Sequence, residues 1–156
     1  LNAAAQVQGK MVFVDPKGKD YSKYRGATMV TPNIHEAADA CGLSIDDPAL
    51  VSGAGRRLLS DLDLAASLIT EGANGMTLFE ANGTSTHMNA VARKVYDVTG
   101  AGDTVIATLA VAAASGNTFA DSADLANIAA GIAVGQIGTA VVSGDEVLSA
   151  YSASRK

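Results

Sequence analysis

The chain has no tryptophan, one cysteine, three prolines and only 4% aromatic residues among its 156 positions. Each shortage removes a class of protein. A lone Cys41 excludes a disulfide framework and any multi-cysteine metal site. With 11 Lys and Arg against 16 Asp and Glu, the net charge of −5 leaves no basic surplus to neutralise phosphates. A nucleic-acid partner is therefore not expected. Nor is a membrane one: the most apolar helical stretch, residues 105–114, is too short to span and is broken by Thr108. No signal peptide is visible at Leu1, so a reducing cytoplasm is the expected compartment.

What is present is small and apolar. There are 30 alanines and 16 glycines, and 48% of the chain is hydrophobic against 17% charged. Such a composition excludes disorder, and the length suits one compact domain with a sizeable core. Built from Ala, Val, Ile and Leu, that core lets helices and strands approach closely. This fits a layered α/β domain better than an aromatic-cored β-sandwich.

Residues 1–8 read as the tail of a helix. Strands are predicted over 11–15, 28–31 and 64–70, and a loop with one helical turn over 17–26. Asn33 is an N-cap candidate, with Glu36 three residues on as in a capping box and Gly42 as the stop. An amphipathic helix is expected over 49–62, weakened by Gly53 and Gly55. Residues 76–80 and 84–89 flank Asn82-Gly83, a strong hairpin signal. A strand over 91–98 then leads into alanine-rich helices over 101–116, 121–135 and 144–152. Alternating strands and helices imply a mostly parallel sheet with an antiparallel hairpin added. No repeat, low-complexity segment or internal domain boundary is visible, so one domain portion is expected over 1–156.

The sharpest chemical feature is Asp97-Val-Thr-Gly-Ala-Gly-Asp103, a strand that enters a glycine-rich turn and then a helix. Such a turn presents backbone N–H groups at the positive end of a helix dipole, a ready-made anion site. Gly100 and Gly102 let a phosphate approach the backbone closely. Asp103 puts a carboxylate beside that site. Either it complements the helix dipole, or it accepts a proton from an attacking hydroxyl.

Asp97–Asp103 closely resembles the signature of the ribokinase-like sugar kinases. The resemblance implies that Asp103 is the catalytic base and that Gly100, Ala101 and Gly102 form the anion hole for the transferring phosphoryl group. Other segments match in the same order. Asn33-Ile-His-Glu36 is similar to the family's Asn-x-x-Glu motif, which implies that Asn33 and Glu36 help hold Mg²⁺ and the ATP phosphates, the metal through water. Thr70-Glu-Gly-Ala-Asn-Gly75 resembles the Thr-x-Gly-x-x-Gly turn, which places Thr70, Gly72 and Gly75 beside the nucleotide. Asn127, followed by Ile-Ala-Ala-Gly-Ile-Ala-Val, resembles the start of the family's helix that borders the adenine. Asp97, Thr99, Ala133, Gln136 and Gly138 fall where many relatives bind a monovalent cation, K⁺ by expectation. Lys17 is either a mobile point charge for the ATP phosphates or a solvated lysine.

The implied fold is a three-layer α/β/α ribokinase-like one, incomplete at its N-terminal side. Within the family, Val14-Asp-Pro-Lys-Gly18, Tyr24-Arg-Gly-Ala-Thr28 and Val95-Tyr-Asp97 look most like the branch acting on D-glycero-D-manno-heptose 7-phosphate. That branch is often fused to an adenylyltransferase on the route to ADP-heptose and lipopolysaccharide. The resemblance corresponds to the C-terminal part of such a kinase, without the part that supplies most sugar contacts and the lid. It implies a small-molecule sugar phosphate as partner and a homodimer for the complete enzyme. Residues 1–156 alone are expected to associate or to be less stable, and to lack sugar turnover.

His35 and His87 read as surface or hairpin histidines, since neither has a second histidine at metal spacing. Cys41 reads as a small core residue. There is no Gly-x-x-x-x-Gly-Lys-Ser/Thr sequence, which excludes a Walker-type NTPase. Gly53-Ala-Gly55 and Gly100-Ala-Gly102 both lack the third glycine of a dinucleotide fingerprint. Two alternatives stay open: a non-catalytic nucleotide-binding module, and a kinase for another sugar.

Overall fold

A computed structural model describes residues 2–91, 97–136 and 141–154. The chain forms two compact units, Leu1–His87 and Met88–Lys156.

The first unit holds a five-stranded sheet ordered β1-β2-β3-β4-β5, with strands Phe13–Val14, Met29–Val30, Ala66–Thr70, Met76–Glu80 and Ser85–Met88 (whose last residue opens the second unit). β1, β2 and β3 run parallel, with Phe13 opposite Met29 and Met29 opposite Ala66. β4 returns antiparallel, with Leu68 opposite Leu78. The first two strands are shorter than 11–15 and 28–31, because only two residues of each pair. β3 likewise begins at Ala66. β2 is buried throughout, and β3 and β4 are buried but for their last residues, Thr70 and Glu80, as expected of strands covered on both faces. The predicted loop over 17–26 contains a 3₁₀ turn, Ser22–Tyr24, and the first residues form a short helix, α1 (Asn2–Val7).

Two helices cover one face of this sheet. α2 (Ile34–Cys41) starts at Asn33, whose side chain accepts the Glu36 N–H while the Glu36 carboxylate accepts the Asn33 N–H. The predicted capping box is present, and Gly42 ends the helix at φ 61°. α3 (Leu50–Leu62) buries Leu50, Ala54, Leu58 and Leu62, one residue per turn, and this stripe packs with Val30, Ala37, Ile69 and Phe79. Gly55 faces the same way: a Cβ there would collide with the Phe79 ring. Its carbonyl accepts the buried Ser67 hydroxyl at 3.0 Å.

In the second unit α4 (Ala101–Ala114) and α5 (Phe119–Val134) are apolar on nearly every side, and a four-residue turn joins them. Val105, Leu109, Ala112 and Ala113 are buried on α4; Ala123, Ala126 and Ala129 are buried on α5. α4 stops two residues short of the predicted end. α5 starts two earlier than predicted, because the Thr118 hydroxyl caps it by accepting the Asp121 N–H. α6 (Gly144–Ser154) packs Val147 and Tyr151 against Ile128, Ala129 and Ile132 of α5. The strand predicted over 91–98 lies largely outside the described residues. No helix among the described residues is long and apolar enough to cross a membrane.

Candidate phosphate-binding edge and helix terminus

Parallel strands collect their following loops at one edge, and three of the predicted segments meet there in the first unit. Lys17 lies three residues after β1. Its ammonium sits 3.0 Å from Asp15 Oδ2 and 3.2 Å from Glu36 Oε1 while the side chain remains 68% exposed. The hydrogen bond to Asp15, with Glu36 behind it, raises the Lys17 pKa above its ordinary value of 10.5. Asn33 ends the segment after β2 and forms an isolated parallel bridge with Thr70, the last residue of β3. The Thr70 N–H donates to the Pro32 carbonyl at 3.0 Å. Thr70 then opens a turn in which Gly72 and Gly75 take φ of 61° and 97°, and the Glu71 N–H closes it on the Gly75 carbonyl at 2.8 Å. Both angles favour glycine, since a Cβ is strained there.

Lys17, Asn33, Glu36 and the 70–75 turn thus lie together at the carboxyl ends of β1, β2 and β3, where open α/β sheets bind ligands. Asp15 belongs with them. It is the last residue of the strand predicted over 11–15, and that position, two residues before Lys17, is the signal for its place in the site.

The donor set decides what this edge could hold. Both Glu36 oxygens are occupied, one by the Asn33 N–H and one by Lys17. Among the described residues no three His, Cys, Asp or Glu side chains cluster as metal ligands. One lysine with two carboxylates suits a phosphate-bound Mg²⁺ reached through water, not a closed protein cage.

In the second unit α4 starts at Gly100, which takes φ 80°, and no side chain caps it. The Ala101 N–H donates to the Val98 carbonyl at 3.2 Å, and the Thr104 hydroxyl and N–H both donate to the Gly100 carbonyl. Gly102 and Asp103 are exposed on the first turn. An uncapped, exposed helix start of 14 residues keeps its dipole end open to an anion.

The same unit gathers most of the predicted cation residues. Asp97 Oδ1 accepts the Thr99 N–H at 2.8 Å, a bond that holds the Asp97 carboxyl below the usual carboxylate range. The Asp97 N–H reaches the Val134 carbonyl at 3.4 Å, which sets Asp97 and Thr99 beside the end of α5, where the Ala133 carbonyl accepts from Gln136. These are oxygen donors at a helix C-terminus, chemistry that fits a hard monovalent cation. Gly138 lies outside the described residues. Asn127 is buried, and its amide donates to the Asn89 carbonyl at 2.8 Å, so part of its bonding capacity is structural.

Known proteins share both the sequence and the fold. Residues 1–145, a span that crosses both units, match the profile of the pfkB family carbohydrate kinases. The chain is 54% identical over 146 residues to the bifunctional protein HldE of Geobacter metallireducens, covering 94% of this chain and 30% of that protein. The chain thus spans about a third of the length of the curated relatives it matches. Phosphofructokinase-2 from Escherichia coli, in a complex with potassium, superposes at a TM-score of 0.87 with 20% identity, over 99% of this chain and 51% of that one. Arabidopsis thaliana ribokinase, complexed with ribose and ATP, superposes at 0.85 with 25% identity, over 96% and 50%. These likenesses give the chain the α/β fold of the ribokinase group. Profile and fold agree, and the chain belongs to the pfkB family of carbohydrate kinases.

Proposed function

We propose that the chain carries the nucleotide-binding and phosphoryl-transfer portion of a kinase for D-glycero-D-manno-heptose 7-phosphate. The reaction joins the anomeric oxygen to the γ-phosphorus of ATP and gives the 1,7-bisphosphate and ADP, toward ADP-heptose and lipopolysaccharide. ATP as the phosphoryl donor puts this reaction in the cytoplasm. What supports a nucleotide here is the gathering of Lys17, Asn33, Glu36 and the 70–75 turn at one sheet edge. What supports the sugar is the heptose-branch motifs, together with 54% identity to the bifunctional protein HldE.

Mg²⁺ supplies divalent charge on the ATP phosphates. Lys17 adds a mobile point charge to those phosphates, released from Asp15 and Glu36 as it does so. Glu36 and Asn33 orient the metal–phosphate group through water. Thr70, Gly72 and Gly75 contact the nucleotide, and Asn127 borders the adenine. Gly100, Ala101 and Gly102 stabilise charge on the transferring group from the helix terminus. Asp103 accepts the hydroxyl proton as the sugar oxygen attacks and the bond to ADP breaks. Asp97, Thr99, Ala133, Gln136 and Gly138 would hold a monovalent cation, K⁺ by the family resemblance.

A second reading follows from placement. The residues read as nucleotide contacts, Lys17, Asn33, Glu36 and the 70–75 turn, gather within the first unit alone, which also suits a nucleotide-binding unit that does not transfer phosphate. One assay separates the two: ADP release from MgATP, with and without heptose 7-phosphate, in the full-length enzyme and its Asp103→Asn variant. Sugar-dependent release that falls ~10²–10⁴-fold in the variant, with MgATP affinity retained, is the expected result. Equal turnover in both proteins removes Asp103 as the base. MgATP binding with no sugar-dependent ADP favours the binding unit.

A further inference from the structure

Glu71 ties the 70–75 turn to strands outside it. Its carboxylate accepts the Thr77 hydroxyl at 2.6 Å, and the same hydroxyl oxygen lies 2.8 Å from His87 Nδ1. His87 Nδ1 is itself 3.6 Å from Glu71 Oε1. Thr77 is buried on β4, the Glu71 side chain is only 12% exposed, and His87 stands half-exposed on β5.

The chemistry of the three groups sets the direction of both bonds. An ionised carboxylate only accepts, so the Thr77 proton points to Glu71 and the Thr77 oxygen must receive its second hydrogen bond from His87. The reverse order would leave two oxygen lone pairs 2.6 Å apart with no proton between them. In that arrangement the His87 nitrogen facing Thr77, Nδ1, is the one that donates. The Thr77–Glu71 distance is that of a charge-assisted O–H···O⁻ bond, the strong kind.

The turn needs such a tie. Two of its residues, Gly72 and Gly75, lie at positive φ, and glycines give up the most conformational freedom on being ordered. Backbone bonds close the turn on itself, through Glu71 to Gly75 and Asn74 to Glu71. The Glu71 side chain adds the connection to β4 and β5. We propose that Glu71, Thr77 and His87 form a latch of positioning residues that holds the 70–75 turn in its nucleotide-receiving shape. The proposal rests on the reading of that turn as a nucleotide contact.

The test uses the 156-residue chain, Thr77→Val, which keeps shape without a hydroxyl, and Thr77→Ser, which keeps the hydroxyl. Three readouts are taken: amide exchange at Gly72, Ala73, Asn74 and Gly75 without nucleotide, the imidazole ¹⁵N shifts of His87, and MgATP titration. In Thr77→Val exchange should rise about tenfold, the Nδ1–H signature should vanish and MgATP should bind about tenfold more weakly, the loss of one strong hydrogen bond. Thr77→Ser should restore all three. Glu71→Gln is the second probe: its amide can donate to Thr77, turn the hydroxyl toward His87 and move the imidazole proton to Nε2. Unchanged exchange in Thr77→Val, or an unchanged His87 tautomer in Glu71→Gln, overturns the latch. Faster exchange with unaltered MgATP affinity overturns its positioning role. A wild-type chain that binds no MgATP overturns the nucleotide reading and that role together, and the exchange result still decides the latch.

Discussion

Tyr21 carries a hydroxyl that sits in the first unit's core with no hydrogen-bond partner among the described residues, its ring edge-on to Tyr24 at 5.6 Å. Leaving such a group unpaired costs about 1–3 kcal/mol of desolvation, whereas the ring's burial is favourable. Tyr21→Phe keeps the ring and removes the cost. It should raise stability by about 1 kcal/mol in urea unfolding. A loss instead would mean that the hydroxyl is bonded in solution. Nothing in the sequence marks its hydroxyl as unpaired, because a tyrosine's partner, or its lack of one, is a matter of what lies next to it in space. His87 shows the same limit: its spacing read correctly as a hairpin position, while its bond to Thr77 depends on how β4 and β5 meet.

At the level of elements, local chemistry was legible and long-range contact was not. The capping box at Asn33 and Glu36 and the stop at Gly42 are written within ten residues, and α2 begins and ends accordingly. β4 was read at its full extent, between Gly75 and the Asn82-Gly83 turn. The edge that gathers Lys17, Asn33 and Thr70 was reachable through family resemblance, whose motifs carry the spatial information that spacing lacks. Gly53 and Gly55 mark the opposite case. Both looked like helix-weakening glycines, yet the helix treats them differently. A Cβ at Gly53 meets only Leu43 Cδ1, at 3.7 Å, while one at Gly55 meets the Phe79 ring. Gly53→Ala should therefore stabilise by about 0.5–1 kcal/mol. Gly55→Ala should destabilise by about 1–3 kcal/mol, since the buried ring must move. Thermal melts of the two variants check both signs, and stabilisation by Gly55→Ala would show that Phe79 yields freely.

For the molecule as a whole, the titrating groups predict a lopsided response to pH. Burial raises the Cys41 thiol above its ordinary 9.0 and the Tyr21 hydroxyl above 10.0, and Asp15 raises Lys17 above 10.5. Groups raised on folding contribute fully below their unfolded values and lose that contribution as pH climbs through the folded ones. Stability should thus fall from about pH 9 upward. On the acid side, bonds from Ser22, Thr99 and Ser143 lower Asp20, Asp97 and Glu146 below ordinary values of 3.8, 3.8 and 4.5, and their contribution is lost only as pH drops below those values. All three carboxylates are at the surface, where such bonds are screened, so the acid limb should be shallow and the alkaline one steep. Denaturation midpoints measured from pH 3 to 11 test the asymmetry, and a symmetric profile would contradict it.

The sheet order β1-β2-β3-β4-β5 repeats the order of the chain. Among the described residues each strand after β1 therefore pairs with the one made just before it. The entropy of closing each pairing is set by one local connection, and none requires the sheet's two ends to meet first. During synthesis each described strand after β1 therefore emerges beside an edge that is already in place.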